Sequence, residues 1–246
     1  MKKLMTILLF TCSLMTVSAQ YPDGKQLLER IDGNMSSENR IFTSSMVIYG
    51  RRTTHTVKMK TWTAGEKKSF TEYLFPAREQ GTKMLKLEDQ LWIYSPSTDR
   101  IIQIAGHMLR QSVMGSDLSY EDLMEDNRLV QQYNANVTGT EEVDGRQCWV
   151  VELKAVVPDI AYQGMKLWVD QERNIPLREE MYAKSGTLLK RTELSDVKRI
   201  GNRGYPRKIL FRDMLRDGKG TEFIIEDIEF NVPIPEHIFS KASLKK

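Results

Sequence analysis

The sequence predicts a mainly β chain, an antiparallel meander that closes or partly closes on itself. Three observations carry this reading. Runs rich in Val, Ile, Thr, Tyr, Phe and Trp recur along the chain, with turn signals between them at spacings near a dozen residues. Within those runs apolar and polar residues alternate, so each strand has one dry face and one wet face. No linker, repeat or low-complexity segment interrupts them, which makes residues 20–246 a single domain.

The chain opens on "MKKLMTILLFTCSLMTVSA", residues 1–19. Lys2 and Lys3, an apolar stretch from Leu4 to Val17 and the small residues Ser18 and Ala19 form a cleaved secretory signal peptide. The apolar stretch is short for a membrane anchor, which needs about 20 residues. Thr11 before Cys12 is not the small Gly or Ala expected ahead of a lipidated cysteine. "YPDGKQLLERIDGNM" follows as a short helix, with Leu27, Leu28 and Ile31 at helical spacing and Gly33 as its stop.

Strands come next. "IFTSSMVIYG" and "THTVKMKTWTAG" are neighbours, and "GEKKSFTEYLF" ends at Pro76. "GTKMLKLEDQLWIYSPSTDRIIQI" holds three short strands with turns at Glu88-Asp89 and at Ser95 to Asp99. After residues 104–129 strands resume at Val130–Glu142, Gln147–Val156, Tyr162–Asp170, Pro176–Ala183, Thr187–Arg199, Pro206–Met214 and Thr221–Phe230. Asp144-Gly145, Pro158-Asp159, Arg173-Asn174, Ser185-Gly186, Asn202 to Gly204 and Asp217-Gly218 are the turns. Trp149, Val151, Leu153 and Ala155 share one face, as do Met165, Leu167 and Val169, and Ile209, Phe211 and Leu215. A large sheet with one apolar face must curl around itself, take a helix as a plug or hold a ligand.

Composition excludes several functions. Loss of Lys2 and Lys3 with the leader takes the formal charge from +3 to +1, which gives no electrostatic footing for nucleic acid. Only Cys148 remains after the leader, in a strand pattern that reads as a buried structural thiol. His55, His107 and His237 are far apart, and no zinc, nucleophile-elbow, phosphate-loop or dinucleotide motif occurs. "GNRG" at 201–204 is a turn between strands. The reading is of a non-enzyme with no metal and no cofactor.

The stretch "SVMGSDLSYEDLMED" (Ser112–Asp126) interrupts the strands and carries five carboxylates. It lacks the alternating ligands and bend glycine of a calcium loop. A short amphipathic helix accounts for more. Ser119 and Asp122 form a capping box, Asp117 and Glu121 sit near the positive helix end, and the acids face solvent. Tyr120, Leu123, Met124 and Leu118 make an apolar stripe. Met108, Leu109, Val113 and Met114 precede it, and such Met-rich surfaces repack around varied apolar partners.

Three runs, "GTKMLKLEDQLWIYSPSTDRIIQI", "SVMGSDLSYEDL" and "GMKLWVDQERNIPLREEMY", resemble the bacterial outer-membrane lipoprotein-sorting proteins, a branch of the LolA/LolB-like superfamily of periplasmic lipoprotein carriers. The resemblance implies an incomplete antiparallel β-barrel of about eleven strands, with short helices lodged in its open side as a lid or plug. It implies a monomeric periplasmic carrier. Its partners are acyl chains of a lipoprotein or another lipid, and a membrane transporter or outer-membrane receptor. A sensing or interaction module on the same fold is the alternative, and an integral outer-membrane barrel fits poorly with charges on the wet face. On this reading Met108, Leu109, Met114, Tyr120, Leu123 and Met124 form the lid face. Trp92 and Tyr94 line the sheet, or Leu91 and Ile93 if the pleat is reversed. Trp149, Val151 and Leu153 line its other half. Arg110 is the cation placed to tie the lid to an acid.

Overall fold

The computed structural model describes residues 21–50, 52–124, 128–158 and 160–245. The expected signal peptide, Cys12, Glu125, Asp126 and the Asp159 half of one turn lie outside the described residues.

The strands are β1 (Asn39–Tyr49), β2 (Thr54–Ala64), β3 (Lys68–Phe75), β4 (Lys83–Leu87), β5 (Gln90–Ser95), β6 (Arg100–Ile104), β7 (Tyr133–Val143), β8 (Arg146–Ala155), β9 (Gly164–Asp170), β10 (Pro176–Tyr182), β11 (Leu188–Ile200), β12 (Arg203–Asp213) and β13 (Thr221–Phe230). All join one 13-stranded sheet in the order β6-β5-β4-β3-β2-β1-β13-β12-β11-β10-β9-β8-β7. Two meanders, β1 to β6 and β7 to β13, are joined where β1 pairs antiparallel with β13. The edges β6 and β7 do not pair, so this is an incomplete barrel, with thirteen strands where the resemblance implies eleven. Turn chemistry sets the hairpins. Asp144 and Gly145 both take positive φ (49° and 73°), the combination a two-residue hairpin of matching twist requires. Register shifts at Thr43/Ser44, Val137/Gly139 and Pro176/Arg178 bend the strands.

The chain between the two edges bridges the open side. It contains 3₁₀ turns at Gly106–Arg110 and Val113–Gly115, then α2 (Tyr120–Met124) and α3 (Leu129–Gln132). The strand expected from Val130 starts only at Tyr133. The reason is Asp32, whose carboxylate accepts the Leu129 and Val130 N–H groups at 3.0 Å each and turns those residues into α3.

Helix α1 (Gly24–Met35) plugs one half of the concave face. Asp23 caps it by accepting the Gln26 N–H at 2.9 Å. Gly33 does not stop it. The helix runs on to Met35 and ends where Ser36 Oγ and N–H both donate to the Asp32 carbonyl. Leu27, Leu28 and Ile31 are buried against Val137 of β7, Val151 and Leu153 of β8, and Leu167 and Val169 of β9.

Gly24 sets how closely α1 docks. A Cβ there would stand 2.1 Å from the Ala135 carbonyl oxygen of β7. Alanine ordinarily stabilises a helix over glycine by about 1 kcal/mol. Gly24→Ala is instead expected to destabilise the protein by about 1–3 kcal/mol, because backbone must move. Chemical denaturation measures this, and a stabilised variant would show that α1 is not held against β7.

The outer face is covered in two places. Val143, Cys148, Val150, Trp168 and Leu177 form a buried cluster over β7 to β10, in which burial pushes the Cys148 thiol up to about 11. The segment after β13 folds back over β3 to β5, where Phe239 and Leu244 pack on Phe70, Leu85 and Trp92.

Candidate functional site: a roofed cavity on the inner face

Alternation along the strands places Met46 and Phe42 of β1, Met59 and Thr61 of β2, and Thr71 and Tyr73 of β3 on the concave face. Phe211 and Ile209 of β12 and Phe223 and Ile225 of β13 continue that face across the β1–β13 seam. Together with the inner end of α1 (Ile31, Met35) they enclose a cavity of ≈ 430 Å³. That is within the range of small-ligand pockets, about 300–1,000 Å³. The hydroxyls of Thr61 and Thr71 hydrogen-bond to each other at 3.0 Å, so this part of the wall presents methyl groups.

The roof is the bridging segment. Val113, Leu118 and Leu123 line the cavity from above. Met114, Leu118, Tyr120 and Leu123 pack on Met46, Ile48, Val57, Met59 and Tyr73. Met108, Leu109 and Met124, again with Tyr120 and Leu123, pack on Met84, Leu91 and Ile104 towards the β6 edge.

Polar contacts hold this roof, and they come from its acids. Asp117 accepts the Thr221 hydroxyl at 2.7 Å and the Asp213 N–H at 3.1 Å. Asp122 accepts Lys190 Nζ at 2.6 Å and the Tyr162 hydroxyl, and Lys190 also donates to the Asp117 carbonyl at 2.7 Å. The capping box forms as read. The Ser119 N–H donates to Asp122 at 2.6 Å, and the Asp122 N–H donates to Ser119 Oγ at 3.2 Å. Buried Lys86 donates to the Leu123 and Met124 carbonyls at 3.3 and 3.1 Å, at the end of α2. Burial pushes the Asp122 carboxyl up, but Lys190, Tyr162 and the Ser119 N–H outweigh it and hold it below the ordinary carboxylate value. Asp117 and Asp122, expected among the solvated and capping acids, are therefore latches. Lys86, Lys190 and Arg216, which donates to the Ser116 carbonyl at 3.1 Å, bind the roof from the sheet side; Arg110, on the roof segment, lines an outer groove beside Glu121.

The expected site residues divide three ways. Met108, Leu109, Met114, Tyr120, Leu123 and Met124 are brought together under the roof, and of these Leu123 reaches the cavity. Trp149, Val151 and Leu153 do face inward, but α1 lies over them, so they are core rather than cavity wall. Trp92 and Tyr94 are on the opposite face, packed with Phe239 and Leu244, while Leu91 and Ile93 face the roof. The pleat is the reversed one. The wall residues Met46, Met59, Phe211 and Phe223 are not among the expected site residues, although Phe211 lies on the apolar face expected of its strand.

A family model described as an "Uncharacterized protein"-like family matches residues 65–246. The chain belongs to this family. A search of curated proteins finds no match. Among solved structures, this family member is similar to an outer membrane lipoprotein-sorting protein domain from Vibrio parahaemolyticus. The TM-score is 0.79 at 23% identity, over 91% of this chain and 98% of that one. It is similar to a DUF1329 family protein from Desulfovibrio piger, with TM-score 0.81, 24% identity, and 90% and 97% of the two chains covered. It is also similar to a LolA superfamily protein from Nitrosomonas europaea, with TM-score 0.75, 22% identity, and 91% and 100% covered. The chain shares its fold with these structures, and the resemblance read from the sequence holds at the level of fold.

Proposed function

We propose that this chain binds acyl chains of a lipoprotein or another lipid in the inner cavity and carries them through the periplasm toward the outer membrane. The observation that supports this most is a concave apolar wall under a roof whose apolar lining side chains, Val113, Leu118 and Leu123, take no part in the polar contacts that hold it. Such a roof is able to lift without unmaking the sheet. Each methylene removed from water contributes about 0.8 kcal/mol, so one or two acyl chains supply ample binding free energy, and release needs a membrane or receptor that competes for them. On this reading the leader exports the chain, and it works as a monomer between a membrane transporter and an outer-membrane receptor. It has no catalytic residue and needs no cofactor.

Native mass spectrometry of the mature protein, followed by organic extraction, is expected to show a bound acyl lipid. A cavity that is empty and also refuses acylated peptides would sink the proposal. Transfer of a labelled lipoprotein between vesicles separates a carrier from a sensor, which binds cargo and keeps it.

A further inference from the structure

One part of the cavity wall departs from its apolar character. Glu179 of β10 and Thr192 of β11 stand directly opposite each other in register, and both line the cavity. Thr192 is 3% exposed, and its Oγ1 has no hydrogen-bond partner among the described residues. A buried hydroxyl without a partner costs about 1–3 kcal/mol, so its retention in the wall of a cavity points to a ligand atom. Glu179 has the apolar neighbours Leu167 of β9, its register partner, and Met165 and Met181.

The other charged groups that line the cavity are engaged elsewhere or sit at its rim. Lys190 and Asp122 pair with each other, and Lys86 is held on the carbonyls of α2. Arg40 donates to the Met35 carbonyl and Tyr205 Oη, and Lys68 pairs with Glu236. Glu66 lines the cavity at the β2–β3 turn. Lys166, Arg178, Arg191 and Glu180 are on the other face, the first two over the Trp168 ring and the last two paired together. Burial alone pushes the Glu179 carboxyl up to about 7, so below neutral pH it carries a proton it can donate.

We infer that Glu179 and Thr192 are a carbonyl-binding subsite, and that the cavity takes acyl esters or amides in preference to hydrocarbon chains of the same length. Two O–H donors side by side in an apolar wall match the two lone pairs of one carbonyl oxygen. Above the Glu179 titration an anionic headgroup is repelled by the ionised carboxylate. The inference rests on the proposed lipid-binding reading and specifies the chemistry of that site.

The test uses the mature protein with methyl laurate and with dodecyl methyl ether, which lacks the carbonyl, each titrated against a bound fluorescent fatty-acid probe. At pH 6 the ester is expected to compete about tenfold better than the ether, the size of one to two net hydrogen bonds. That preference is expected to vanish by pH 8.5, above the Glu179 titration, where the carboxylate no longer donates. Thr192→Val and Glu179→Leu should each reduce the ester-to-ether preference, the ratio being the quantity read. Glu179→Gln keeps a donor, so it should keep the preference at both pH values. Equal binding of ester and ether at pH 6 overturns the subsite while lipid binding stands. Failure of the protein to bind the probe or either compound overturns the lipid-binding reading itself.

Discussion

Asp122→Ala is expected to destabilise the roof by about 3–5 kcal/mol, because it removes one partner of a buried ion pair and strands the other. The side chains of Lys190 and Asp122 are only 14% and 12% exposed, so solvent screens the pair little. The same carboxylate also accepts the Tyr162 hydroxyl and closes the capping box with Ser119. One substitution therefore leaves the Lys190 ammonium without its counter-charge, takes one acceptor from the Tyr162 hydroxyl and uncaps α2. The effect should be confined. Hydrogen exchange of amides in residues 112–124 is expected to accelerate by at least a hundredfold, while strands under α1 keep their protection. Asp122→Asn combined with Lys190→Met removes both charges and should recover most of the loss. A change below about 1 kcal/mol in the single variant would show that the latch is ornamental. Acid should act in the same direction. The folded Asp122 carboxyl lies below its ordinary value, so its stabilisation is complete above that value. It is lost as pH falls through the lowered one, and roof opening at pH 3 should exceed that at pH 7.

The sheet was legible in the sequence because its signal is local. Alternation in "GMKLWVD" puts Met165, Leu167 and Val169 on one face, which is the inner one, and the β1–β2 pairing follows from two adjacent strand runs. Where both faces of a strand are apolar, alternation stops deciding. In β5, Leu91 and Ile93 compete with Trp92 and Tyr94. The choice is made by Phe239 and Leu244, which cover the outer face from the far end of the chain. The same distance hid the roles of the acids. Asp117 reads as solvated until Thr221 and Asp213 are brought to it, and Asp122 until Lys190 is. Gly33 looked like a stop because glycine commonly ends helices, yet nothing requires a positive φ there, and α1 is held by its buried leucines instead. The cavity wall gathers a few residues from each of many strands, and no single run shows which of its apolar residues meet there.

Leu123→Asp is expected to lower acyl affinity by about a hundredfold, and Met124→Asp by far less. The two residues are neighbours on α2, and a plain amphipathic stripe would make them equivalent. The cavity separates them. Both pack on Met84, Leu91 and Ile104, but Leu123 also lines the open volume and Met124 does not. Burying a leucine contributes about 1.5–3 kcal/mol, and a carboxylate in its place must be desolvated by any chain that enters, so losses near 3 kcal/mol, or about a hundredfold, follow. The polar anchors at Asp117, Asp122 and the α2 carbonyls do not use the Leu123 side chain. Circular dichroism of Leu123→Asp should therefore match the parent. Equal loss from both variants would place the acyl chain under the whole stripe, with the roof lifted along its length. Loss of the sheet in Leu123→Asp would make the roof part of the core. Only the unequal result, with the fold retained, fits a ligand that shares the cavity with a roof still latched in place. In that case release is governed by the Lys190–Asp122 pair rather than by the apolar stripe.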